Sequence, residues 1–172
     1  DKFNYHLPEH LIAQYPPENR SDARLMIALE STQHEIFKNI GAHFSSGDLL
    51  VLNQTSVIPA RLFGEKSTGG KIEILLERFL SDRQTLAQVG SSRTPKEGAQ
   101  LIFLFAGEKF IATVQGRKDN FFILDWSSNP QELFTNHGQI PLPPYMNRAP
   151  EKIDKERYET IYANPEKKES VA

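Results

Sequence analysis

Six short runs rich in β-branched and aromatic residues recur through the middle of the chain: Arg61–Gly64, Lys71–Leu80, Thr85–Ser91, Gln100–Phe105, Lys109–Gln115 and Phe121–Trp126. Turn formers separate them at Thr68-Gly69-Gly70, Lys96-Glu97-Gly98, Ala106-Gly107-Glu108 and Lys118-Asp119-Asn120. Strands this short, joined by hairpin-sized connections, can bury their apolar sides only by closing on one another. The pattern therefore predicts a small antiparallel barrel or sandwich over residues 61–140. Ile111, Thr113 and Gln115 alternate with Ala112 and Val114, as expected for one wet and one dry face. Trp126, at the end of the last run, is expected to plug the core.

The flanks carry a different pattern. Residues 8–13 read as one helical turn with Pro8 near its start, halted by Pro16-Pro17. Leu25–Leu29 and His34–Phe37 predict a strand pair, and Leu49-Leu50-Val51-Leu52, after the turn Gly47-Asp48, predicts a strand buried on both faces of an α/β layer. A short helix is expected from Pro130, capped by Ser128 or Asn129. A second is expected over Asp154–Tyr162, with Asp154 as its cap and Tyr158, Ile161 and Tyr162 on one face. The architecture inferred is α/β plus all-β: an α/β layer begun by residues 1–60, interrupted by the barrel at 61–140 and resumed over 141–172.

Composition limits what such a chain can do. Leu, Ile, Val and Phe number 46 of 172 residues, above the ~20% below which disorder is expected. With 20 basic and 22 acidic residues the formal charge is −2, so no bulk attraction to nucleic acid or an anionic membrane is expected. Residues 61–140 hold 10 basic and 9 acidic groups, with no basic run. The absence of Cys excludes disulfides, thiolate metal sites and cysteine nucleophiles, and fits a reducing compartment. No apolar run approaches the ~18 residues of a membrane span, so a cytoplasmic protein is expected. The five His show no metal spacing, and no phosphate-binding or nucleophile-elbow motif is present. Thr68-Gly69-Gly70-Lys71 lies between two strands and is read as a hairpin turn. A start at Asp1 and a stop after Val171-Ala172 are the ends expected of a fragment.

Three stretches could carry chemistry. Asn53 to Arg61 follows the apolar run, where the carboxyl end of a buried strand commonly lines a binding crevice. Asn53 and Thr55 could hold ribose hydroxyls, and Arg61 a carboxylate or phosphate. The alternative is that Asn53 and Thr55 cap a turn and Arg61 is a solvated strand residue. Arg20 and Arg24 flank Asp22 in a polar loop, as either an anion clamp or a surface ion pair. Three prolines between Pro141 and Pro144 stiffen the approach to Tyr145 and Arg148, as a presenting segment or a rigid linker. The catalytic base is not assignable. Asp22 and Asp48 qualify by type only, Asp48 more naturally as a turn residue.

Read together, Phe3–Ala13, Arg20–Arg24, Gly47–Thr55, Val57–Gly64, Gly70–Leu76, Pro141–Tyr145 and Arg157–Ala163 resemble, in order and spacing, the S-adenosylmethionine:tRNA ribosyltransferase-isomerase family of queuosine biosynthesis. The resemblance covers the whole chain as roughly the first half of such proteins. It implies a partial α/β barrel domain (1–60 and 141–172) interrupted by an inserted antiparallel Greek-key β-barrel (61–140). It also implies transfer and isomerisation of a ribosyl group from S-adenosylmethionine, a consumed substrate rather than a cofactor, to 7-aminomethyl-7-deazaguanine in tRNA. No metal and no membrane partner are expected, and a monomer is. Arg20, Arg24, Asn53, Thr55, Arg61, Tyr145 and Arg148 are the candidate substrate-binding residues, with Tyr145 stacking on a base. The competing class is a non-enzymatic RNA-binding β-barrel module.

Overall fold

The computed structural model describes residues 4–164. They divide into two compact units, one of residues 4–52 and 143–149, the other of residues 53–142 and 150–164.

In the first unit, strands β1 (Arg24–Ala28) and β2 (Thr32–Ile36) pair antiparallel, Met26 opposite His34. Short 3₁₀ turns at Glu9–Leu11, Arg20–Asp22 and Phe37–His43 make up its remaining regular structure. The strand pair lies within two residues of the expected bounds, β2 starting at Thr32 rather than His34. The strand expected at Leu49–Leu52 is absent. These four side chains are 88%, 58%, 82% and 44% exposed, and none of the residues belongs to a strand. A strand buried on both faces needs neighbours to accept its backbone hydrogen bonds and layers to cover its sides, and among the described residues neither is supplied.

The second unit is built on six strands, β3 (Arg61–Lys66), β4 (Lys71–Phe79), β5 (Gln84–Ser91), β6 (Gln100–Phe105), β7 (Glu108–Lys118) and β8 (Phe121–Trp126). They close into a barrel of order β3-β4-β5-β8-β7-β6, antiparallel at every step. Strand β5 lies beside β8 rather than β6, so the hairpin-linked trio β6-β7-β8 and the returning β5 form a Greek key. Alternation decides which side chains enter: Ile72, Ile74 and Leu76 of β4 and Phe122, Leu124 and Trp126 of β8 are buried, and their neighbours are not. Bulges at Leu76/Arg78 and Val114/Gly116 break the register, a device that bends strands enough to close a small barrel. Ala106 and Gly107 both take positive φ in the tight β6–β7 turn, the geometry that matches the twist of a two-residue hairpin.

Trp126 is the core plug expected of it. Fully buried, it packs 5.3 Å from Phe103 and edge-on to Phe134 at 5.8 Å, and its Nε1 donates to Thr85 Oγ1 at 2.9 Å. That bond satisfies the one polar atom the indole brings into the core. Phe134 comes from helix α1 (Pro130–His137), which begins at Pro130 and is capped by Asn129 Oδ1 accepting from Gln131 N. After α1 the chain runs back along the barrel entry, where Arg61 and Gln139 exchange both backbone hydrogen bonds. A Cβ on Gly138 would collide with the backbone carbonyl oxygens of Pro59 and Phe134, so only glycine allows this approach.

Helix α2 (Lys152–Arg157) is shorter than expected and starts earlier. Glu151 is its cap, and the buried Asp154 stands at the third helical position, its Oδ2 accepting from Glu151 N at 2.7 Å. This reciprocal capping box uses Asp154 inside the first turn, not ahead of it. Tyr158 ends the helix, so Ile161 and Tyr162 do not share a helical face with it.

Candidate functional site

The candidate residues fall into two groups, one in each unit. In the barrel unit, Asn53 and Thr55 are bound to each other: Asn53 Oδ1 accepts from Thr55 N at 2.9 Å and from Thr55 Oγ1 at 2.6 Å. This is an Asx turn, and it uses neither the Asn53 amide NH₂ nor the Thr55 hydroxyl lone pairs. Gln54 O accepts from Asn164 N, which anchors the turn.

Arg61 opens β3 and is held from several sides. Its Nε lies 2.7 Å from Glu73 Oε1, a close ion contact rather than an aligned hydrogen bond, and its Nη2 donates to Leu142 O at 3.3 Å. The side chain is 19% exposed, so Arg61 is neither solvated nor free of counter-charge. Glu73 reaches it diagonally from β4, where Leu75 is the register partner of Arg61. A guanidinium already paired keeps its planar face and remaining N–H groups in one orientation, at the cost of weaker net attraction for a second anion. Glu73 carries no sequence signal of its own, because its position beside Arg61 depends on the β3–β4 register.

In the other unit, Gln14 ties the proline-rich segment down. Its Nε2 donates to Tyr145 O at 3.3 Å and to Ile12 O at 3.3 Å, while its Oε1 accepts from Asn147 N at 2.9 Å. Arg148 Nε donates to Gln14 O at 2.8 Å, and its guanidinium carbon sits 4.3 Å from the centre of the Tyr15 ring. Tyr145 as a residue stays 58% exposed on this tied-down backbone. Gln14 carries no sequence signal of its own, since a lone Gln fits any polar loop. Arg20 lies in the 3₁₀ turn Arg20–Asp22, and Arg24 is an exposed residue opening β1 opposite Ile36. Asp22 Oδ2 accepts from Asn19 Nδ2, and Asp48 Oδ2 accepts from Ser45 N at 2.7 Å, closing a turn. Among the described residues no three His, Asp or Glu gather into a metal-binding cluster, and no helix is long and apolar enough to cross a membrane.

The model of the family described as queuosine biosynthesis protein matches residues 1–172. The chain belongs to that family. The curated S-adenosylmethionine:tRNA ribosyltransferase-isomerase of Legionella pneumophila (strain Lens) is 46% identical over 94% of this chain and 48% of its own length. The protein of the same name from Acinetobacter baylyi is 45% identical over 99% of this chain and 49% of its own. A crystal structure of S-adenosylmethionine tRNA ribosyltransferase from Thermotoga maritima is 37% identical, covering 80% of this chain and 48% of that one, with a TM-score of 0.41. The chain thus spans about half the length of the curated relatives it matches. Those queuosine-family relatives carry an enzyme's name, which disfavours the binding-module alternative.

Proposed function

We propose that this chain forms the barrel-bearing half of an S-adenosylmethionine:tRNA ribosyltransferase-isomerase. The enzyme transfers the ribosyl group of S-adenosylmethionine to 7-aminomethyl-7-deazaguanine at the tRNA wobble position and isomerises it to epoxyqueuosine, releasing adenine and methionine. The observation that carries this reading is the family match along the whole chain, joined to 45–46% identity with relatives of that name. S-adenosylmethionine is consumed as a substrate, and the chemistry needs no metal. The protein acts in the cytoplasm as a monomer.

Such a reaction needs a base for the proton made acidic beside the sulfonium, protonation of the leaving adenine, and groups that hold a carboxylate and a ribose. The residues of this chain fit the holding role. Arg61, Arg24, Arg20 and Arg148 offer guanidinium groups, Asn53 and Thr55 a preset amide and hydroxyl, and the exposed residue Tyr145 a ring on a stiff backbone. Residues 1–60 and 141–172 belong to a partial α/β barrel domain, and 61–140 to the inserted barrel. In favour of that division, the apolar run Leu49–Leu52 is exposed, as an apolar segment is when none of the described residues covers it.

Adenine release tests the reading. With S-adenosylmethionine and tRNA carrying the precursor base, this chain alone should give only background release, and a chain extended to the relatives' length should turn over. No release from the extended chain overturns the proposal. In that chain Arg61→Ala should lower kcat/KM for S-adenosylmethionine by about 1.5–3 kcal/mol, the value of one charge-assisted hydrogen bond. Glu73→Gln, which removes the counter-charge, should not lower it. Unchanged kinetics in Arg61→Ala would take Arg61 out of the site.

A further inference from the structure

The barrel's charge is sorted by end, which its near-neutral total conceals. Because all neighbours are antiparallel, β3, β5 and β7 finish where β4, β6 and β8 begin, so residues 65–71, 91–100 and 117–121 gather at one end. That end holds six of the ten basic residues of 61–140, Lys66, Lys71, Arg93, Lys96, Arg117 and Lys118, and three of the nine acidic ones, Glu65, Glu97 and Asp119. Elsewhere in the barrel Arg61 is paired with Glu73 and Arg78 with Glu77. Among the described residues none of the six cations at the basic end lies within ion-pair distance of a carboxylate. Lys71 alone has a carboxylate, Glu65, opposite it in register.

The same end is shaped. Lys66 Nζ donates to Arg93 O at 3.0 Å, which joins the β3–β4 hairpin to the loop after β5. Beside that loop an open groove of about 480 Å³ is lined by Gln88, Thr94, Arg117, Asp119, Asn120 and Phe121, among others. Arg117 is pre-set there, its guanidinium carbon 4.6 Å from the centre of the Phe122 ring and its Nη2 on Asn120 O at 3.5 Å. Arg117 in a groove with hydroxyl and amide groups, at a barrel end where five further cations lie outside ion-pair distance of a carboxylate, matches a chain of phosphates and sugar hydroxyls. A membrane surface would call for apolar side chains to insert, and none of the large exposed apolar residues lies on these three segments.

We propose that this end of the barrel docks the sugar–phosphate backbone of RNA, with Arg93, Arg117 and Lys118 on phosphates. The identification of the polyanion as RNA rests on the tRNA substrate proposed above. The test is fluorescence anisotropy of this chain with a labelled, unmodified tRNA transcript between about 50 and about 200 mM salt. Replacing Arg93, Arg117 and Lys118 by Ala together should weaken binding at least about tenfold and flatten the dependence of log K on log salt by roughly 2–3, since each phosphate contact contributes about 0.7–0.9. Arg93→Gln with Lys96→Gln and Lys118→Gln leaves Arg117 on Phe122 and should show a like loss with the circular dichroism spectrum unchanged. Arg78→Ala with Lys109→Ala, away from this end, should change neither affinity nor slope. Equal losses from both ends, no loss from the basic end, or equal binding to polyglutamate or phosphatidylserine vesicles would overturn the proposal. The two proposals fail separately. Adenine release with a tRNA KM indifferent to these residues sinks only the docking surface, whereas salt-dependent tRNA binding without adenine release sinks only the reaction.

Discussion

The two units share one chain and similar proportions of Leu, Ile, Val and Phe, yet among the described residues only one has an interior. Fifteen side chains form the barrel unit's buried cluster, from Ala60 through Trp126 to Phe134, whereas no side chain of residues 4–52 is buried. The difference lies in where the partners of each strand are encoded. Every barrel strand finds its neighbours within residues 61–126, mostly across hairpins, so closure is complete in this chain. Among the described residues the Leu49–Leu52 run finds none, and its side chains stay exposed. A strand's sequence announces its need for cover, but only the fold shows whether the cover is present.

The sharpest way to break that contrast is to empty the barrel's centre. Trp126→Ala removes the largest fully buried side chain, its contacts to Phe103 and Phe134, and the partner of Thr85 Oγ1. It should cost about 3–5 kcal/mol, read from urea unfolding followed by barrel-specific hydrogen exchange. A loss below about 1 kcal/mol would mean the barrel is not the stable body of the chain.

Gly138→Ala tests the seam where the chain leaves α1 and pairs with Arg61. The added methyl would meet two backbone carbonyl oxygens, which cannot swing aside as a flexible side chain can. A destabilisation of about 1–3 kcal/mol is expected, with loss of protection at the Arg61 and Gln139 amides. Full protection at both amides in the variant would show that the close approach is not needed.

These two positions also mark what could be read beforehand. The barrel was legible because period-two alternation and turn residues are local signals, and Trp126 ended a run whose inward face was already fixed. The α1 cap was legible from Asn129-Pro130 for the same reason. Gly138 gave no such signal, since the backbone atoms that exclude a side chain come from Pro59 and Phe134. The candidate site shows the same division. Asn53 and Thr55 close a turn, one of the two readings their residue types allow, but Glu73 beside Arg61 and Gln14 beneath Tyr145 and Arg148 depend on pairing between distant segments. Charge sorting was hidden for that reason too: Lys66, Arg93 and Arg117 are far apart in order, and hairpins bring them to one end.

The smallest expected effect is the most informative about the other unit. Leu50 and Val51 are 58% and 82% exposed, so replacing both by Ser removes little buried apolar surface. In this chain Leu50→Ser with Val51→Ser should change stability by no more than ~0.5 kcal/mol, as exposed substitutions do. If residues 1–60 belong to an α/β domain completed at the relatives' length, the same pair placed in a chain of that length loses two covered side chains. At about 25 cal/mol per Å² of apolar surface, that is a cost of several kcal/mol. Equal, small effects in both chains would show that the run stays at the surface whatever is added. The proposed α/β layer would then lose its main support, while the barrel, which closes without it, would be untouched.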